Sequence, residues 1–225
     1  MAKKSSERVE TGVTGLDKII NGGFIPGSAV LLTGGAGTGK TIFSGQFLFH
    51  GLKKGENGVY ITFEETPDEI KEDFLEFGWD LAPFEKKGNV IIEYKDPFEI
   101  ADISSVLVDE ISRLKAKRVV IDSASIFGMF LKDEHDIRKR LYKLIQLIKS
   151  TGATTILTSE IPEGSDRLSR FGVEEFVVDG VIVLRYVPMG KMTQRTIEVR
   201  KMRKTNINEG TYGFEFGKNG VKIVD

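Results

Sequence analysis

An α/β fold built on a mainly parallel, helix-flanked sheet is predicted by three observations on this 225-residue sequence. Apolar, β-branched runs alternate with helical patterns as far as Ser159. A glycine-rich loop joins the first run to the first long helix. Two later runs end on acids. Strand and helix in alternation build βαβ units, and the ligands of such sheets sit beyond the carboxyl ends of the strands.

The elements follow in order. Ala29 to Thr33 is a strand, and the helix after it runs from Lys40 to about Lys53, with Phe43 and Phe47 four apart on its core side. Val59 to Glu64 is the second strand. Thr66-Pro67-Asp68-Glu69 then starts a helix reaching Phe77: a capping hydroxyl, a proline at the first helical position and a glutamate three after the cap. Val90 to Tyr94 is a strand, and Ala101 to Lys115 a helix whose Ile103, Val106, Leu107, Ile111 and Leu114 recur at helical spacing. Arg118 to Asp122, a helix from about His135 to Ser150, and Thr154 to Ser159 complete the alternation.

Beyond Phe171 the pattern changes. Val181–Leu184 and Thr196–Val199, joined through Pro188-Met189-Gly190, and a last hairpin turning at Asn219-Gly220 read as antiparallel additions at one edge. No composition shift or linker divides the chain, so residues 1–225 form one domain, with 1–10 as a flexible N-terminus. The polar loop Pro162–Asp166 reads as mobile.

With 32 basic and 33 acidic residues the net charge is −1, which gives no global attraction to nucleic acid or membrane. There is no cysteine, and two histidines, His50 and His135, are too few for an ordinary zinc site. A metal here is bound by oxygen. No run of about 18 apolar residues appears and the N-terminus has no apolar segment, so a cytoplasmic protein without membrane insertion is expected.

The segment "GGAGTGKT", Gly34 to Thr41, matches G-x-x-x-x-G-K-[ST] between a hydrophobic strand and a helix. The backbone of Gly35, Ala36, Gly37, Thr38 and Gly39 turns N–H groups toward phosphate, Lys40 reaches the β and γ phosphates, and Thr41 helps hold Mg²⁺, with Ile42 the next residue of the site. The spacing is not that of the dinucleotide fingerprint. "RVVIDSAS" supplies the second magnesium acid, Asp122, at the end of an apolar run. Many ATPases place the water-activating glutamate directly after that aspartate; here the position is Ser123. Glu64 and Glu65, in "GVYITFEETPDE", end the strand after the P-loop helix, and the helix cap beside them accounts for neither. They are the candidates for polarising water, and the sequence does not order them.

Together "GGAGTGKT", "FEETPDEI", "VVIDSAS", "SRFGVEEFVVDGVIVLR" and "KMRKT" resemble a KaiC-type domain of the RecA superfamily, from about Thr11 to the C-terminus. The resemblance implies a RecA-like P-loop fold, ATP as ligand, and sites at the subunit interfaces of a homo-oligomeric ring, usually a hexamer, with the paired glutamates acting in hydrolysis. KaiC has two such domains in tandem and this chain has one, as single-domain archaeal relatives do. The matching Lys-x-Arg reaches the nucleotide of the adjacent protomer, which assigns Lys201 and Arg203 to a phosphate clamp supplied in trans. On a strand from Gln194 to Arg203 these cations share a face with Ile197 and Val199. Departures are Ile207, where some members carry histidine, and Glu174-Glu175, where self-phosphorylating members carry Ser-Thr. Autokinase activity therefore ranks below hydrolysis, with Ser165, Ser169 and Thr193 as conceivable acceptors.

Two alternatives stand beside a Mg²⁺-dependent ring ATPase of regulatory or signalling role. One is a DNA-binding recombinase paralogue of RadA or RadB type, motivated by the basic run Arg195, Arg200, Lys201, Arg203, Lys204. The other is a slow nucleotide switch whose 162–171 loop recruits a protein partner.

Overall fold

The computed structural model describes residues 7–96, 103–129, 131, 133–189 and 192–224. Its elements are α1 (Leu16–Ile19), β1 (Ala29–Gly34), α2 (Lys40–Lys53), β2 (Gly58–Thr62), α3 (Pro67–Leu75), α4 (Ala82–Lys86), β3 (Val90–Tyr94), α5 (Ile103–Leu114), β4 (Arg118–Asp122), α6 (Ile126–Met129), α7 (Glu134–Ser150), β5 (Thr154–Glu160), α8 (Glu174–Val177), β6 (Gly180–Met189), β7 (Met192–Met202), β8 (Thr211–Gly217) and β9 (Gly220–Val224). The strands form one sheet in the order β3-β2-β4-β5-β1-β6-β7-β8-β9.

The first six positions of that order, β3 to β6, pair in parallel, and β7, β8 and β9 add antiparallel. β1 is buried along its whole length because helices cover both of its faces. Side-chain alternation divides the core accordingly. Val120 and Ile156 face Phe43, Phe47 and Phe74 on α2 and α3, whereas Val119 and Ile121 face Leu107, Ile111, Leu141 and Leu144 on α5 and α7. Phe43 and Phe47 are fully buried, as their spacing requires. The start of α3 carries the complete capping box between Thr66 and Glu69.

Several expectations need correction. Val181–Leu184 belongs to β6, which runs parallel to β1 and only then pairs antiparallel with β7. Its apolar residues are buried on both faces, the condition of an interior strand. β2 stops at Thr62, before Phe63, so the glutamates stand in a turn: Thr62 Oγ1 accepts from the N–H of Glu64 and Glu65 and donates to the Glu65 carbonyl. Val106 is 43% exposed, at the margin of the α5 stripe rather than inside it. Four short helices, α1, α4, α6 and α8, lie where no helix is expected, each too brief to show a period. Of the expected flexible N-terminus, residues 1–6 lie outside the described residues, while Val9 bridges to Phe24, Arg8 donates to Thr205 and Glu10 pairs with His50 and Lys54. Ala101 and Asp102 of the expected helix, and Gly190 of the expected turn, also lie outside.

A candidate nucleotide site at the carboxyl ends of the strands

The loop from Gly34 to Gly39 leaves the carboxyl end of β1 and enters α2, whose cap, Gly39, has φ +101. A Cβ there would stand 2.4 Å from the Phe216 ring, and one at Gly34 would stand 2.5 Å from the Leu184 carbonyl oxygen. Both positions therefore exclude a side chain. Ala36 and Gly37 at the crest are exposed, and Thr38 is buried with its hydroxyl donating to Gly35 O at 2.8 Å. Lys40 folds over the loop and donates to Gly34 O and Gly35 O at 3.1 and 3.0 Å. Burial pushes its ammonium pKa down, against the attraction of Asp122, Glu160 and Glu64.

Asp122 ends β4 beside the start of α2. Thr41 Oγ1 and Tyr60 Oη both donate to its Oδ2, at 3.1 and 2.6 Å, and Thr158 Oγ1 donates to Oδ1 at 2.5 Å. Three neutral hydroxyls orient this carboxylate, and among the described residues no cation forms an ion pair with it. That donor set fits Mg²⁺, which takes one or two protein oxygens and completes its shell with phosphate and water. No group of three His, Asp or Glu that could hold a metal by itself occurs among the described residues, so the ion's other ligands would come with the nucleotide.

The two glutamates part company. Glu64 is exposed at the rim of the site and accepts from Ser123 Oγ at 3.1 Å; partial desolvation raises its carboxyl pKa, the Ser123 hydrogen bond opposes that, and Glu160 and Asp122 add to it. Glu65 is also raised, by burial first and then by Asp122, Asp73, Glu64 and Glu69. Glu64 thus shares the field of Lys40, while Glu65 stands among acids.

Sequence reasoning missed the wall opposite. Glu160 ends β5, paired with Gly34 in register, and with residues 161–165, Arg170 and Leu184–Tyr186 it lines a cleft of about 550 Å³ against Gly35, Ala36 and Thr38. The rule that finds Asp122 also finds Glu160 once the strand is extended one residue past Ser159. Tyr186 Oη donates to Gly37 O at 2.6 Å and accepts from Arg195 Nη2 at 2.9 Å, and the Arg195 guanidinium lies over the Tyr186 and Phe216 rings, at 5.0 and 4.6 Å from their centroids. These residues reach the P-loop from β6, β7 and β8, through contacts without a local signature.

Lys201 and Arg203 lie elsewhere. A bulge in β7 pairs Val181 with Lys201 but Ile182 with Val199, leaving Arg200 extra. Alternation reverses there: Val199 and Met202 enter one core, and Lys201 turns to the other face, where its ammonium donates to Glu175 O and Val178 O at 2.9 and 2.8 Å. The expected common face of Ile197, Val199, Lys201 and Arg203 does not form. Arg203 follows β7, with its N–H on Asp179 O and its guanidinium 3.8 Å from the Asp179 carboxylate, which also caps Ala29 N. Both cations are thus at the amino end of β1, roughly 16 Å from the P-loop at about 3.3 Å per residue. The rest of the basic run is dispersed as well, since Arg195 stacks on rings and Arg200 pairs with Glu198. Of the conceivable phosphoacceptors, Ser169 is fully buried against Glu174.

The family described as "ATPase: KaiC" matches residues 9–225. The circadian clock protein KaiC3 of Synechocystis is 34% identical over 97% of this chain and 46% of its own length. The circadian clock oscillator protein KaiC of Synechococcus elongatus is 36% identical over 96% of this chain and 44% of its length. The chain spans about half the length of these curated relatives. A solved KaiC-like protein from the hyperthermophilic archaeon Pyrococcus horikoshii superposes with a TM-score of 0.89 at 39% identity, covering 98% of this chain and 100% of that one.

Proposed function

The chain belongs to the KaiC family of ATPase domains, and from that premise we propose that it binds and hydrolyses ATP with Mg²⁺ at the subunit interfaces of a homo-oligomeric ring, in a regulatory or signalling role. The observation that carries this reading is the convergence of Thr41, Lys40 and Glu64 with Asp122 at neighbouring strand ends. The P-loop N–H groups and Lys40 hold the phosphates, while Thr41 and Asp122 would hold the magnesium ion. Bound there, the ion neutralises phosphate charge. Glu64 is the better placed of the two glutamates to take a proton from water, because it is held by Ser123 within the field of Lys40, whereas Glu65 stands among acids.

The ring is supported by Lys201 and Arg203. At the far end of β1 they are too distant to serve their own P-loop; in a ring the 58% exposed Arg203 would address the neighbour's, as a clamp supplied in trans, with Lys201 leaving its two carbonyls to join it. Ion pairing and ring stacking within the basic run leave little of it for a nucleic-acid backbone, so the ATPase reading is preferred to the recombinase one. No helix among the described residues is long and apolar enough to cross a membrane.

The test is mass and turnover together. Light scattering with and without Mg²⁺-ATP should show a nucleotide-stabilised oligomer, and phosphate release should vanish on chelation and fall with Arg203→Ala. A strict monomer that hydrolyses ATP as fast with Arg203→Ala as without removes the interfacial half of the proposal.

A further inference from the structure

Arg170 is an exposed cation in the wall of the cleft that faces the P-loop. Its side chain is 47% exposed, and among the described residues its guanidinium makes no hydrogen bond. The nearest carboxylate, Glu160, stands 3.8 Å away, beyond hydrogen-bonding distance. Its backbone, by contrast, is fixed. Arg170 N donates to Ser159 Oγ at 3.1 Å, and that hydroxyl donates to Glu174 Oε1 at 3.1 Å. The fully buried Glu174 carboxylate also takes Ser169 Oγ at 2.7 Å and the N–H of Phe171 and Val173. Phe171 is packed so closely on Gly128 that a Cβ there would stand 2.2 Å from its ring.

A guanidinium with five unspent donors on a rigid mount, opposite a phosphate-binding loop, matches the geometry of a phosphate oxygen pair. Glu160 joins the two sides. It pairs in register with the last residue of β1, and Ile161 N donates to Gly34 O, so the segment bearing Glu160 is tied to the start of the P-loop.

We propose that Arg170 binds the terminal phosphate of a nucleoside triphosphate held by the P-loop of its own chain, and that Glu160 is the partner it leaves to do so. The proposal rests on the ATP reading given above. It makes the Arg170 side chain report whether the third phosphate is present: with a diphosphate it stays beside Glu160, and with a triphosphate it moves onto the new anion. The Glu174 clamp holds the backbone in both states, so the exchange requires only side-chain rotation.

The test is binding by calorimetry, in Mg²⁺, of a non-hydrolysable ATP analogue and of ADP to the full chain. Arg170→Ala should weaken the analogue by about 10- to 100-fold, the worth of a hydrogen bond to a charged group, and change ADP affinity less than about twofold. Arg170→Lys should restore part of the loss. Glu160→Gln should strengthen the analogue in the parent and have a smaller effect when Arg170 is already alanine, because the competition is then gone. Equal loss of both nucleotides with Arg170→Ala, no loss of either, or strict additivity of the two substitutions would overturn the exchange. If the parent chain binds neither nucleotide, the ATP reading itself fails, and the proposal with it. Unchanged ADP affinity in each variant shows that the P-loop is still folded.

Discussion

Replacing Glu64 by glutamine removes a charge and almost nothing else. The amide oxygen can still accept from Ser123 Oγ, now at 3.1 Å from Oε1, and the loss of the charge relieves the partial desolvation that raises its pKa. Stability should therefore hold or rise, and nucleotide affinity should hold. If Glu64 takes the proton from attacking water, the hydrolysis rate falls by about 100- to 10,000-fold, roughly 3–5 kcal/mol of transition-state stabilisation. Glu65→Gln is the control built into the sequence. Among the described residues no hydrogen bond reaches the Glu65 carboxylate, and its neighbours are the acids Asp122, Asp73, Glu64 and Glu69, so neutralising it relieves repulsion and should change the rate less than about threefold. The assay is single-turnover phosphate release at saturating Mg²⁺-ATP. A larger loss from Glu65→Gln than from Glu64→Gln, with both variants binding nucleotide normally, would refute the assignment.

The pH profile offers a second check. Glu64 must be ionised to act, and its pKa stands above the ordinary 4.5, so the rate should rise with pH through a limb above 4.5. The Ser123 hydrogen bond lowers that pKa, and Ser123→Ala should move the limb to higher pH; an unmoved or lowered limb would detach Ser123 from the base. A third prediction concerns the fold. Arg118 is 1% exposed and donates to Glu10 O and Phe47 O at 2.8 Å, besides its bond to Glu56. Arg118→Met leaves these acceptors without their buried donor and should cost about 3–5 kcal/mol in urea unfolding; a loss below about 1 kcal/mol would show that the methionine repacks freely.

The parts of the fold legible in the sequence are those fixed by local chemistry. The P-loop needs glycines where a Cβ would collide, and Thr66 and Glu69 form a cap readable from four consecutive residues. Asp122 is legible because an acid closing an apolar run marks a strand's carboxyl end. Glu160 obeys the same rule and escapes notice through a strand boundary drawn one residue short. β6 shows how a signal can be present and misread: four successive apolar residues without alternation mark a strand covered on both faces, yet the antiparallel edge beyond it suggests the opposite pairing. Arg170, Tyr186 and Arg195 leave no local mark, since what brings them to the loop is the placing of β5 and β6 on either side of β1. The ordering of Glu64 and Glu65 depends on a turn set by the Thr62 hydroxyl, which alternation along an ideal strand does not anticipate.

The extra residue at Arg200 separates two kinds of freedom within one strand. On its amino-terminal side, Ile197 and Val199 answer to the shape of the core; on its carboxyl-terminal side, Lys201 and Arg203 lie outside that obligation, with only Met202 returning to it. A chain with this extra residue can retune the basic end of the strand without repacking its interior, and can revise the interior without moving the charges. Drawing that residue into regular pairing would merge the two territories and turn the Lys201 ammonium toward the core that Val199 enters.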